Sequence, residues 1–160
     1  MEIDEVIKMR VVVQRCKKAN VDVDNKTVGS IDKGIVILVG FTQGDTNKEI
    51  DYLVDKIINL RIFDDEFGVM NRSLLDIKGS ILSISQFTLY GDCKKGRRPS
   101  YIKALNGTKA IQLYEKFNQE LKKYVKKVET GIFGADMQVS LINDGPVTIL
   151  LEKEGENNGE

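Results

Sequence analysis

The first forty residues place short apolar–polar alternations one after another, and that pattern commits the chain to a sheet before any helix can start. Met9-Arg10-Val11-Val12-Val13-Gln14-Arg15 opens a strand, with Val11, Val13 and Arg15 on one face. Val21 and Val23 alternate with Asp22 and Asp24, ending in the turn Asp24-Asn25-Lys26, and Val28 to Ile31 returns. Gly34 to Val39 (GIVILV) is apolar at nearly every position and reads as a fully buried strand, closed by Gly40. Four strands in forty residues predict a hairpin-rich opening.

Helical periodicity begins only afterwards. Asp45 and Thr46 offer N-caps for a helix over 47–59, where Ile50, Leu53, Val54, Ile57 and Ile58 make one stripe that must cover a sheet. Leu60 to Phe63 reads as a short strand before the turn Asp64-Asp65-Glu66-Phe67-Gly68, whose carboxylates lack calcium-loop spacing and read as solvated. A second helix, capped by Thr108, is expected to run to about Tyr124, with Leu113, Phe117, Leu121 and Tyr124 on one face. Val128 to Phe133 leads into Gly134. Met137 to Ile142 and Val147 to Leu151 then read as strands joined by a tight turn, Asn143-Asp144-Gly145-Pro146. The expected fold is α+β: curved, mostly antiparallel sheets forming a barrel-like core, with two long helices outside. Residues 1–8 read as an N-terminal extension, 9–151 as one domain, and 152–160 as a flexible polar tail.

Several chemistries are excluded by counting. The 160 residues contain no histidine, which removes Ser-His-Asp and Cys-His catalysis and every imidazole zinc site. Two cysteines, Cys16 and Cys93, are too few for a four-thiolate site, and free thiols fit a cytoplasmic protein. No apolar run approaches the roughly 18 residues of a membrane helix, so no membrane partner is expected. Twenty-four basic against twenty-four acidic residues argue against a general nucleic-acid binder, and no DNA partner is expected.

Two polar landmarks interrupt this apolar framework. Ile81, Leu82 and Ile84 form a buried strand that runs into Ser85-Gln86-Phe87-Thr88-Leu89. Polar groups inside a core segment cost about 1–3 kcal/mol each unless paired, so Ser85, Gln86 and Thr88 are either an internal hydrogen-bond network or the wall of a pocket. Shortly beyond lies Lys94-Lys95-Gly96-Arg97-Arg98-Pro99, a loop stiffened by proline and carrying four cations in five residues. Such a run is either a solvated surface or a phosphate contact, and its nearness to the first landmark favours phosphate.

With these residues in view, the chain resembles the D-aminoacyl-tRNA deacylases of the widespread bacterial and eukaryotic type. The resemblance covers about residues 9–151. It rests on the Met9–Arg15 strand, Asn59-Leu60-Arg61-Ile62-Phe63, Ser85-Gln86-Phe87-Thr88-Leu89, Lys95-Gly96-Arg97-Arg98-Pro99-Ser100, Gly134-Ala135-Asp136-Met137 and Asn143-Asp144-Gly145-Pro146-Val147-Thr148. It implies a cofactor-free, metal-free homodimer that cleaves the ester between a D-amino acid and the terminal adenosine of tRNA, and that also removes glycine mischarged on alanine tRNA.

The resemblance further implies that Gly145-Pro146 is cis and enters the partner subunit's site, excluding an L side chain. Ser85, Gln86, Phe87 and Thr88 would form the catalytic wall, with a backbone N–H near Phe87 meeting the oxyanion. Arg15 would brace the Gly-Pro loop. Phe133 and Met137 would line the adenosine pocket, although both are equally suited to a core. Lys94, Lys95, Arg97 and Arg98 would contact tRNA phosphates. Without an imidazole base, the terminal ribose 2′-hydroxyl is the expected helper. The competing readings are a threonine nucleophile at Thr88 and a non-catalytic dimeric RNA-binding module.

Overall fold

A computed structural model describes residues 7–154. The extension expected over 1–8 and the tail expected over 152–160 therefore lie mostly outside the described residues, and the boundary residues that are described belong to strands. The element order is β1 (Ile7–Val23), β2 (Lys26–Ile31), β3 (Gly34–Gly40), α1 (Asn47–Asn59), β4 (Phe63–Asp64), β5 (Met70–Arg72), α2 (Leu74–Ile77), β6 (Ser80–Ser85), α3 (Gly107–Lys122), β7 (Val128–Thr130) and β8 (Gln138–Glu154). A single 3₁₀ turn over Phe87–Tyr90 follows β6.

β1 is one strand of 17 residues where two were expected. Lys17 and Lys18 look like an interruption because the buried parity changes there: Met9, Val11 and Val13 face inward, then Cys16, Ala19 and Val21. The pairing of β1 with β8 shifts register on both sides of Cys16, so the strand bulges and continues. The bulge lets one strand serve two neighbours along one edge: residues 10–16 pair with β3, and residues 19–23 with β2.

The same long-strand solution recurs at the C-terminal end. Asn143–Pro146 does not reverse the chain. Gln14 pairs with Thr148 and Cys16 with Asn143, so residues 144–147 bulge out opposite Arg15 while β8 runs on antiparallel to β1. The continuous strand reaches Glu154, and Glu152 lies 3.1 Å from the Arg10 guanidinium.

The six-stranded sheet has the order β2-β1-β3-β6-β7, with β8 on the other edge of β1. The three pairs involving β1 are antiparallel, while β3 with β6 and β6 with β7 are parallel. The sheet is therefore mixed, because the chain crosses over through α1 between β3 and β6 and through α3 between β6 and β7. Strong curvature brings β2 back to β7. A Cβ on Gly29 of β2 would sit 2.9 Å from the Thr130 carbonyl of β7, leaving a nearly closed barrel.

Apolar side chains fill both faces of this sheet, which explains the unbroken GIVILV run. Ile35, Ile37 and Val39 join Ile81 and the buried stripes of α1 and α3, while Val36 joins Leu82, Ile84 and Val21 on the other face. α1 begins as expected. Thr46 is its N-cap in a reciprocal capping box with Glu49, and all five stripe residues are buried. α3 is capped at Asn106 rather than Thr108. Its inner face is Ala110, Tyr114, Phe117, Asn118 and Leu121, whereas Tyr124, expected inside, is 56% exposed. α1 has 13 residues, α3 has 16, and α2 is a single turn of four. Among the described residues, no helix is long and apolar enough to cross a membrane.

The acidic turn after β4 is organised by Asp65, whose carboxylate accepts from the Phe67 and Val69 amides at 2.9 and 3.1 Å. These bonds hold its carboxyl below the ordinary range. Among the described residues, no group of three or more Cys, Asp or Glu is arranged to hold a metal ion.

Candidate active site

β3 and β6 end side by side, with Val39 paired to Ser85, and a cavity of about 390 Å³ opens beyond their ends. One wall is Ser85, Gln86 and Phe87. The opposite wall, Phe133 to Met137, comes from the turn between β7 and β8, and Leu105, Asn106 and Ala110 at the start of α3 complete the enclosure.

Local backbone bonds explain why the chain leaves β6 there. The Gln86 amide donates to the Val39 carbonyl at 2.7 Å as the last sheet-like bond, and the chain then tightens into the 3₁₀ turn. Phe87 heads that turn, where an N–H has no intrahelical acceptor, and among the described residues no carbonyl takes it up. The turn is fixed from behind. Arg10 Nη1 donates to the Leu89 carbonyl at 2.7 Å, and the Tyr90 hydroxyl donates to the Lys8 carbonyl at 2.8 Å. Burial pushes the Tyr90 hydroxyl far above its ordinary pKa, so it remains a donor at any working pH. Gly40 must lack a side chain because a Cβ would lie 2.9 Å from the Tyr90 ring.

The structure gathers only some of the residues singled out in the sequence. Ser85, Gln86, Phe87, Phe133 and Met137 share this cavity. Thr88 does not line it. Its exposed hydroxyl is hydrogen-bonded by Gln86 Nε2. Lys94, Lys95, Arg97 and Arg98 occupy a separate exposed loop closed by paired Asp92 and Ser100 backbone bonds of 2.8 Å. Among the described residues, none of these four side chains forms an ion pair. A tie between loop and cavity comes from Phe87, whose ring meets Tyr101 edge-on at 5.1 Å.

Gly145-Pro146 is cis, is exposed, and lies outside the cavity of its own chain. Arg15 holds the segment. Its Nε donates to the Asp144 carbonyl at 3.0 Å and its Nη1 to the Ile62 carbonyl at 2.7 Å, with carboxylates of Asp64 and Asp144 at 3.6 and 3.8 Å. Gly145 has φ of +124°, and a Cβ there would stand 2.8 Å from the Arg15 guanidinium.

Sequence reasoning assigned no role to Asn106 or Asp136, both of which face the cavity. Asp136 stood within a noted motif. Asn106 precedes Gly107, a pair that by itself marks only a turn, and nothing local shows that α3 begins at a cavity rim.

Comparison with known proteins places this architecture. Residues 12–152 match the family described as D-Tyr-tRNA(Tyr) deacylase. The chain belongs to that family.

Proteins named D-aminoacyl-tRNA deacylase from Clostridium tetani and Thermosipho africanus are 58% and 59% identical over 146 residues, spanning 91% of this chain and 98% of each relative. Those relatives are hydrolases acting on aminoacyl-tRNA. A solved structure titled c-Myc DNA Unwinding Element Binding Protein is 41% identical and superposes with a TM-score of 0.86 over 90% of this chain and 98% of its own. A probable eukaryotic D-amino acid tRNA deacylase, 18% identical with a TM-score of 0.81 over 91% of this chain and all of its own, shares the fold.

Proposed function

We propose that this chain hydrolyses the ester of D-aminoacyl-tRNA, releasing free amino acid and tRNA as a chiral proofreading step of translation in the cytoplasm. The observation that carries the reading is the cavity beyond β3 and β6, walled by Ser85, Gln86 and Phe87, in a chain of this family. In it, Phe133 and Met137 hold the terminal adenosine and the free Phe87 N–H donates to the oxyanion as water attacks the ester carbonyl. A preorganised donor of this kind is worth about 2.7–4 kcal/mol. The ribose 2′-hydroxyl beside the ester assists proton transfer, a role suited to a protein without imidazole. Ser85 and Gln86 shape the wall. Thr88 lies off the cavity with its hydroxyl engaged by the Gln86 amide, which disfavours a threonine nucleophile.

Chirality is judged across a homodimer. Gly145-Pro146 lies exposed and away from its own cavity, so it is available to a second copy, and the outward face of β8 carries exposed Ile142 and Leu150 beside it. Rejection of the L enantiomer comes from collision with that rigid main chain, and glycine, having no side chain, passes, so that glycine mischarged on alanine tRNA is also removed. Lys94, Lys95, Arg97 and Arg98 meet tRNA phosphates.

The test offers purified protein D-Tyr-tRNA and L-Tyr-tRNA. Selective release of D-tyrosine is expected, and Thr88→Val should keep near-normal turnover. Binding without release of either amino acid would instead favour the non-catalytic RNA-binding module, and abolished turnover in Thr88→Val with intact binding would favour the nucleophile.

A further inference from the structure

An aromatic ledge leads out of the active-site cavity. Phe87 lines the cavity, yet it is 48% exposed, and its ring meets the Tyr101 ring edge-on at 5.1 Å with the planes 72° apart. An edge-on pair leaves ring surface open to a flat ligand, and Tyr101 is itself 37% exposed. Ile102, next to it in the chain, is 91% exposed and extends the apolar surface. Exposed apolar residues that stand together, unlike scattered ones, mark an interaction site.

The ledge is held firmly. Paired Asp92 and Ser100 backbone bonds of 2.8 Å close the basic loop immediately before Tyr101. The Tyr101 carbonyl accepts from the Ala104 amide at 3.0 Å, the Thr42 hydroxyl donates to the Lys103 carbonyl, and the Leu105 amide donates to the Phe41 carbonyl at 2.9 Å. Leu105 and Asn106 then line the cavity. One short segment therefore runs from the cationic loop, past the Tyr101 ring, to the cavity wall. A ring already fixed in place loses little freedom when a ligand stacks on it.

Charge selects the occupant. Lys94, Lys95, Arg97 and Arg98 precede Tyr101 and Lys103 follows it; all five are exposed, and among the described residues none forms an ion pair. Asp92, the carboxylate at the base of the loop, accepts from the Lys94 amide at 3.0 Å. An apolar protein segment would leave these cations uncompensated. A single-stranded polynucleotide supplies both a flat π-face for the ring and phosphates for the cations.

Resting on the reading that the cavity holds the terminal adenosine, we propose that Tyr101, braced by Phe87, is the stacking platform for the nucleotide that precedes this adenosine in the CCA end of tRNA. The strand leaves the cavity past Phe87, its penultimate base lies on the Tyr101 ring, and its backbone continues toward the cationic loop. Every base has a π-face, so the ledge orients the 3′ end without reading its sequence.

The experiment compares single-turnover kcat/KM for intact D-Tyr-tRNA and for D-Tyr-tRNA whose penultimate nucleotide is abasic, in wild type, Tyr101→Phe and Tyr101→Leu. Removing the base should cost the wild type about tenfold, the scale of one base–aromatic stack. Tyr101→Phe should show the same loss, and Tyr101→Leu a loss within about twofold, because the ring is already gone. The ratio within one variant is insensitive to loss of folded enzyme or to a shift of the Phe87 amide. Uracil in place of the penultimate cytosine should change the wild-type rate by no more than about twofold. Wild-type indifference to the abasic site, or a tenfold loss that persists in Tyr101→Leu, would overturn the platform and leave the deacylase reading intact. A strong preference for cytosine over uracil would assign that base to a hydrogen-bonding site and overturn the platform too. Failure of the wild type to release D-tyrosine from either tRNA would overturn the deacylase reading and the platform together.

Discussion

Replacing Arg15 by methionine tests how the bulge in β8 is held. Methionine keeps most of the buried stem and deletes the guanidinium, so the packing of β1 is largely preserved. Two charge-assisted bonds disappear, to the Asp144 and Ile62 carbonyls. Bonds to a charged donor contribute about 1.5–3 kcal/mol each. The Arg15 side chain is only 10% exposed, so solvent screens these bonds little, and the two carbonyls lose a shared donor. The ion pair with Asp64 adds little, since Asp64 is 54% exposed and 3.6 Å away. Allowing for coupling between bonds that share one group, the loss should be about 3 kcal/mol. For a domain of this size that lowers Tm by roughly 6–12 °C. Urea unfolding of wild type, Arg15→Met and Asp64→Asn gives the comparison, and Asp64→Asn should lose less than about 1 kcal/mol. If Gly145-Pro146 is the chiral filter, Arg15→Met should also raise the ratio of L- to D-tyrosyl-tRNA hydrolysis in folded protein. Arg15→Met within about 1 kcal/mol of wild type, or Asp64→Asn equally costly, would refute this account of the bulge.

Burial pushes the Asp45 carboxyl up from 3.8 to about 6, even though it accepts from the Met9 and Thr42 amides. The folded protein therefore holds a proton that the unfolded chain releases, and this contribution to stability, fully present below about pH 4, is lost as pH rises through 6. Urea unfolding across that window should show wild type losing stability relative to Asp45→Asn, and parallel profiles would count against the shift. Gly34→Ala should be among the most damaging substitutions, because its Cβ would fall 1.9 Å from the Ser80 carbonyl and force β3 and β6 apart. A loss above about 3 kcal/mol is expected by chemical denaturation, and a normally stable variant would contradict the β3–β6 pairing. Neutralising Lys95, Arg97 and Arg98 together should weaken the salt dependence of KM for D-Tyr-tRNA, with the log–log slope falling by about 0.7–0.9 for each phosphate no longer neutralised. An unchanged slope would remove this loop from the RNA interface.

Local pattern was sufficient where a residue's neighbours in sequence are also its physical environment. The α1 stripe and its Thr46 cap follow from helical geometry alone, and GIVILV could only be a strand covered on both faces. The absence of histidine restricted the chemistry before any coordinate was known. Ser85, Gln86 and Thr88 stood out as polar residues in core-like surroundings. Other features depend on partners distant in sequence. Nothing local shows that β1 continues through Lys17-Lys18, or that Asn143–Pro146 bulges rather than turns, because both outcomes are decided by pairing between strands more than a hundred residues apart. Tertiary structure alone brought Phe133 to Met137 across from Ser85, moved Thr88 off the cavity, and left the Asn118 oxygen buried without a donor. Spacing along a chain fixes periodicity and capping; closure of a curved sheet fixes which distant side chains share one cavity.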